Sequence, residues 1–382
     1  MTDPFTTPER LALRQMVRQF AEREIAPHVE QWERDGELPR SLHQRAGEAG
    51  LIGLSFPEAV GGGGGSAVDL LVACEELHYA GCGGGVYASL FTAGIALPHI
   101  IAGGRADQID RWVRPTIAGD MIGSLAITEP DGGSDVAGLR TTAARDGDHY
   151  VINGAKTFIT SATRADFVTT AVRTGGPGAR GVSLIVVERD TPGFSVTRKL
   201  DKMGWLSSDT AELAFVDCRV PVENLVGEEH TGFFQIVHHF ETERLFLAVQ
   251  AYATAQRALD LTVEWCRNRT TFGAPLISRQ TVQHTLAEMA CRVDVARVYT
   301  REAARRHEAG EPDLMATIAF AKNVAVENGS WVVDQAVQLH GGMGYMRECE
   351  VERHYRDLRI LGIGGGTTEI MRGMAAKLLG YV

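Results

Sequence analysis

The chain has 382 residues, 44% of them hydrophobic, with 48 acidic against 38 basic side chains and a formal net charge of −10. That length supports two or three domains with sizeable cores, while the acidic balance lacks the basic surplus that neutralises nucleic-acid backbones or anionic lipid, so neither is expected as a partner. The six cysteines, at positions 74, 82, 218, 266, 291 and 349, are too far apart for paired metal or redox spacing and too few for a disulfide scaffold; they are expected to be buried thiols in a reducing compartment.

The first residues show no cationic segment followed by an apolar core, and no later run approaches the roughly 18 apolar residues of a membrane span, so a cytoplasmic protein is expected. Thr6-Thr7-Pro8-Glu9 has the hydroxyl cap and first-turn proline of a helix start, and Leu11, Met16, Val17, Phe20 and Ile25 follow at helical spacing. Helical patterns continue over residues 67–79 and 88–101. The five glycines at 61–65 lack the lysine of a phosphate loop and follow no strand pattern, and are read as a turn.

From about Met121 the texture changes to short β-rich runs, HYVI, KTFIT, DFVTTAV, VSLIVV, FSVT and AELAFV, separated by turn signals that include Asp146-Gly147 and Asn153-Gly154. This predicts a small antiparallel β domain ending near Val220-Pro221-Val222-Glu223-Asn224. Past Gly232 the helical period returns, first to about Asn268, then with Val282, Leu286, Met289 and Val293 on one helix and Leu314, Ile318, Ala321, Ala325 and Asn328 on another. Long helices with short connections predict an antiparallel bundle. The expected architecture is α+β and mainly α: an N-terminal helical domain (1–120), a middle antiparallel barrel or sandwich (121–230) and a C-terminal four-helix bundle (231–382).

Five stretches carry chemistry. In 239–246, HFETERLF, two acids and an arginine lie among large apolar residues, and a carboxylate beside an apolar pocket becomes a stronger base; Glu243 is the candidate, against a plain salt-bridged helix face. Residues 127–135, ITEPDGGSD, combine close-approach glycines with the hydroxyls of Thr128 and Ser134, a cradle for a phosphate or a flavin edge, or an ordinary Asp-Gly turn. At 267–273, RNRTTFG, two guanidinium groups at a helix end could reach a pyrophosphate. QLHGGMGY at 338–345 is a helix stopped by glycines. Residues 362–370, GIGGGTTEI, feed a glycine loop into a helix start whose free N–H groups favour an anion or a polarised carbonyl.

In this order, and with GLIGLSFPEAVGG at 50–62, these stretches resemble the acyl-CoA dehydrogenase family over nearly the whole chain. The resemblance implies the architecture above, with FAD between the β domain and the helices and completed by a neighbouring subunit of a homotetramer, a dimer of dimers. It places Leu125, Ile127, Thr128 and Ser134 at the flavin, and Phe158, Ile159 and Thr160 against its ring; the family more often has tryptophan where this chain has Phe158. Arg269, Thr271, Phe272 and Gln280 match FAD contacts made across the dimer. Gln338, Leu339, His340, Gly341 and Gly342 match those to the adenosine half, and Thr367 and Glu369 those near the pyrophosphate. Ser134, Glu241, Arg244 and Gly366 are assigned to the acyl-CoA.

One departure bears on mechanism. Many members carry their base in a YEGT motif where this chain has Gly365, but the subset resembling isovaleryl-CoA and long-chain acyl-CoA dehydrogenases places a glutamate on the earlier helix before Arg-Leu. Glu243-Arg244-Leu245 with Gly365 matches that exchange. The implied reaction is α-proton removal by Glu243, thioester oxygen held by the Gly365 N–H, hydride transfer to flavin N5, a trans-2-enoyl-CoA product, and electrons passed to an electron-transferring flavoprotein. A dehydrogenase of carrier-protein-bound acyl or aminoacyl thioesters and a catalytically silent flavin- or acyl-CoA-binding paralogue are the alternatives. No metal site is expected.

Overall fold

A hydroxyl and a proline start the first helix as the sequence predicts: Thr7 caps it, accepting from Arg10 N at 3.4 Å, with Pro8 in its first turn. A computed structural model describes residues 3–382. Helices α1 (Pro8–Phe20), α2 (Val29–Asp35), α3 (Arg40–Glu48) and α4 (Ala67–Tyr79) open the chain. A reciprocal capping box of Ser66 and Asp69 starts α4. The five glycines before it do form a turn, and the N–H groups of Gly63, Gly64 and Gly65 are spent on the carbonyls of Gly53, Phe56 and Leu54, which leaves them none to offer a phosphate.

The helical pattern over 88–101 resolves into three short pieces, α5 (Gly83–Leu90), α6 (Ala93–Ala96) and α7 (Pro98–Gly103), the last starting at its proline. Two further short helices, α8 (Ala106–Gln108) and α9 (Arg114–Ile117), complete the N-terminal region. No single described helix is long and apolar enough to cross a membrane, although α5 with α6 and α7 would pass by composition as a bent pair.

The middle region is a seven-stranded sheet of β1 (Gly123–Ala126), β2 (Thr142–Asp146), β3 (His149–Thr160), β4 (Phe167–Arg173), β5 (Val182–Glu188), β6 (Phe194–Lys199) and β7 (Thr210–Pro221). It is mixed rather than antiparallel. β1 runs parallel to β4, because a loop and the β2–β3 hairpin intervene and bring the chain back in the same direction. Asp146-Gly147 makes the predicted hairpin turn, with Asp146 paired to His149. Asn153-Gly154 does not: both lie inside β3, at a register shift against β7. Gly154 has φ +151°, and a Cβ there would meet Thr141 Oγ1 at 2.5 Å; the glycine marks a bulge, not a chain reversal.

The C-terminal region holds α10 (Gly232–Asn268), a hairpin of β8 (Thr270–Thr271) and β9 (Ala274–Pro275), then α11 (Gln280–Glu308), α12 (Met315–His340), α13 (Glu350–Leu358) and α14 (Thr368–Leu378). Val282, Leu286, Met289 and Val293 are all buried on α11, as are Ile318, Ala321 and Ala325 on α12, whereas Asn328 is half-buried. One apolar core joins these helices to the N-terminal ones and a second fills the curl of the sheet.

A buried carboxylate ties the two helical regions together. Glu75 on α4 is fully buried and accepts from Arg14 at 2.6 Å, from Arg301 at 2.9 and 2.8 Å, and from the Tyr252 hydroxyl. Removing one member of a buried, fully bonded ion cluster strands the others. Glu75→Ala is therefore expected to cost about 3 to 5 kcal/mol of stability, whereas Glu308→Ala, which cuts an exposed bond to Arg10, should cost under about 1 kcal/mol; denaturation followed by circular dichroism reads both.

Candidate active site

Glu243 lies eleven residues into α10, in a stretch whose neighbours Leu245 and Leu247 are core. Its Oε2 is shut off from solvent and has no hydrogen-bond partner. Burial raises its pKa, against the opposing charges of Lys322 and Arg244. A carboxylate oxygen shut off from water and from donors takes up a proton more readily than an exposed one.

What it faces is Gly365. A Cβ built there would lie 3.7 Å from Glu243 Oε1, 3.6 Å from Lys322 Nζ and only 2.4 Å from Leu247 Cδ1. Gly365 has φ +65°, the left-handed region that glycine enters without cost. The carboxylate on α10 thus reaches the loop position that has no side chain. Arg244 is buried and its Nε donates to Gly365 O at 3.3 Å, with one Nη beside the sulfurs of Met315 and Met374 at 3.3 and 3.9 Å. Gly366 follows in the same loop, Thr367 caps α14 by accepting from Ile370 N at 3.2 Å, and Glu369 is exposed in the first turn. Glu241 is half-buried two residues before Glu243.

A second group gathers on the sheet. The loop after β1 is sewn to β3: Thr157 N donates to Thr128 O at 2.9 Å, Lys156 Nζ to Ile127 O at 2.9 Å, and Ser124 Oγ to Thr160 O at 2.6 Å. Lys156, fully buried, also reaches Glu129 at 2.8 Å, and Glu129 accepts from the N–H groups of Arg140 and Thr141 at 2.6 and 2.8 Å. Burial pushes the Glu129 pKa up, but these donors outweigh it and hold it at about 2. So 127–135 is a fixed ledge, with Ser134 exposed and Thr128 half-buried. Phe158 sits at a break in the β3–β7 register with φ +61° and its ring 67% exposed, an apolar platform turned outward. Leu125 and Ile159 are core residues, 8% and 3% exposed, so their side chains present little face to a ligand.

A third group is remote from the first. Arg269 follows the last residue of α10, about 39 Å along the helix from Glu243 at 1.5 Å per residue. Its guanidinium lies 5.9 Å from the centre of the Trp265 ring, and Trp265 stacks on His340 at 5.1 Å. His340 is further tied by its Nδ1 to Ala336 O at 2.8 Å. Thr271, the fully exposed Phe272 and Gln280 therefore share one end of the bundle with Gln338, Leu339, Gly341 and Gly342, and Glu243 with Gly365 the other. Within one chain these two ends do not converge.

Three residues of this frame carry no role in the sequence reading: Lys322, Lys156 and Glu129. Lys322 leaves a signal, a single cation in the apolar run Ile318 to Val326. Lys156 and Glu129 sit within or beside quoted motifs, but nothing local pairs residues 27 apart.

A buried carboxylate oxygen thus stands opposite a glycine loop, on a chain whose order is helical, β, helical. The N-terminal, middle and C-terminal domain models of acyl-CoA dehydrogenase match residues 7–120, 124–218 and 230–380. The long-chain specific mitochondrial acyl-CoA dehydrogenase of Rattus norvegicus is 38% identical, over 95% of this chain and 85% of its own. Among solved structures, a putative acyl-CoA dehydrogenase from Mycobacterium smegmatis is 68% identical with TM-score 0.98, covering 99% of both chains. A glutaryl-CoA dehydrogenase from the same organism, in complex with FADH2, is 27% identical with TM-score 0.91 and covers 100% of this chain and 97% of its own. The chain belongs to the acyl-CoA dehydrogenase family and is an oxidoreductase acting on acyl-CoA.

The ledge makes a prediction. Glu129→Gln removes the charge that gathers Lys156, Arg140 N and Thr141 N, and is expected to weaken flavin retention at least about tenfold, a loss of about 1.4 kcal/mol, with far-ultraviolet circular dichroism unchanged. Because the folded pKa lies below the ordinary carboxylate value, this contribution is complete above about pH 4.5 and fades as the pH falls towards about 2. Flavin release during acid titration of the wild type checks the window.

Proposed function

We propose that this protein is an FAD-dependent dehydrogenase that converts a saturated acyl-CoA to its trans-2-enoyl-CoA with Glu243 as the base. The observation that carries the reading is the placing of the Glu243 carboxylate, desolvated and unbonded at Oε2, 3.7 Å from the side-chain position that Gly365 lacks.

The residues present suit the cofactor. Phe158 offers an outward ring where the resemblance puts the flavin plane, the ledge offers the hydroxyls of Thr128 and Ser134, and in the loop at 364–366 only Gly364 leaves its side-chain position clear, the places at Gly365 and Gly366 being filled by Leu247 and Met371. Bound there, FAD supplies the hydride acceptor for the substrate β-carbon. The α-proton of a thioester is weakly acidic, so the base must act while the carbonyl oxygen gathers charge, and fixed donors in a dry site stabilise that charge best. Gly365 keeps its N–H for this purpose. Arg244 grips Gly365 O at 3.3 Å and so steadies the same loop.

The separation of the two bundle ends supports an assembly in which Arg269, Thr271, Phe272 and Gln280 complete the cofactor site of a neighbouring copy, as in the family's tetramer. An electron-transferring flavoprotein as acceptor rests on the resemblance. A reducing, cytoplasmic setting is consistent with six free cysteines, although only four are buried as expected, Cys291 being exposed and Cys349 half-buried.

Glu243→Gln is expected to keep FAD but to lower the rate of flavin bleaching by acyl-CoA by about a thousandfold, within the range for a lost general base. Unchanged bleaching would remove Glu243 from the mechanism. In the wild type, the reductive rate should rise with pH through a value above the ordinary glutamate pKa, since only the carboxylate accepts a proton.

A further inference from the structure

Lys322 on α12 is 1% exposed, and a lysine so deeply buried needs its charge answered. Two of its three N–H bonds go to backbone: Nζ donates to Gly364 O and to Gly366 O, each at 2.5 Å. These carbonyls flank Gly365. In a trans peptide the C=O and the N–H point to opposite sides. Gripping Gly364 O therefore aims the Gly365 N–H away from the ammonium, and gripping Gly366 O fixes the other side of the same turn.

The ammonium does a second thing from the same place. Lys322 Nζ and Glu243 Oε1 lie 3.6 and 3.7 Å from one point, the absent Cβ of Gly365, yet no hydrogen bond joins them. The lysine thus supplies countercharge to the base without taking up the lone pairs that the reaction needs. Arg244, from α10, is the other charged group acting on both. Burial lowers the Lys322 pKa to about 8, against the raising effect of Glu243, so the ammonium form persists at neutral pH.

We propose that Lys322 is a positioning residue for proton abstraction: it clamps the two carbonyls around Gly365, which aims the Gly365 N–H at the thioester oxygen, and it holds the Glu243 carboxylate in its charged form. This rests on the reading of Glu243 as the base. It adds a residue that never touches substrate but sets both the donor and the acceptor of the step.

The test uses the FAD-loaded enzyme and anaerobic stopped-flow reduction by acyl-CoA across pH, comparing wild type, Lys322→Met and Glu243→Gln. In Lys322→Met the rate at pH 7 should fall about tenfold or more and its rising limb should move to higher pH by about one unit, because a carboxylate without its countercharge holds its proton more tightly. A merely structural lysine would lower the rate without moving the limb. A limb in the wild-type position overturns the inference; loss of reduction in Glu243→Gln with that result leaves the base assignment standing. Retained reduction in Glu243→Gln instead overturns the base assignment itself. Should Lys322→Met not load with FAD, Lys322→Gln, which keeps an amide donor but no charge, is read by the same profile. If neither variant loads, the lysine's role is structural and the inference fails.

Discussion

The candidate site is organised around one unfavourable arrangement, a carboxylate with an oxygen shut off from water that nothing bonds. Such a group is costly to bury, and the fold tolerates it only because two cations stand close enough to offset part of the cost without neutralising it. Were Arg244 or Lys322 bonded directly to Glu243, the carboxylate would be quieter and a poorer base. Instead both cations spend hydrogen bonds on the carbonyls of residues 364–366. The same charges therefore order the loop and bias the acid.

Much of the frame was legible in the sequence because it depends on local rules. The cap at Thr7, the full span of α10 and the buried stripe on α11 follow from periodicity and end chemistry, which act over a few residues. What failed or stayed hidden was non-local. Asn153-Gly154 has the composition of a turn, but the strand continues through it by pairing with β7, and the glycine serves to let Thr141 pack close. The parallel pairing of β1 with β4 depends on how the chain returns after a hairpin. In the site, Glu243 and Gly365 were paired through likeness to a family, and the coordinates give that pairing a distance. Lys322 carries the clamp but lies 42 and 44 residues from its partners, beyond any spacing argument.

The long helix α10 also sets the distance between the two groups of candidate site residues within one chain. Continuous over 37 residues, it carries Glu243 about three turns from its start and ends at the hairpin beside Arg269. The stacked Trp265 and His340 join the hairpin end to the glycines that stop α12. Helices α10 and α12 run in the same direction, with Glu243 near Lys322 at one end and Trp265 on His340 at the other, so the two poles are spaced by helix length rather than by loop placement.

Leu247 gives the arrangement a steric constraint. Its methyl occupies the space where a side chain at Gly365 would begin, 2.4 Å from that Cβ. An acidic side chain placed at Gly365 would displace the leucine methyl, sit on a left-handed backbone that only glycine enters without strain, and bring a second negative charge beside Glu243. Backbone, packing and charge therefore all favour leaving this loop position bare.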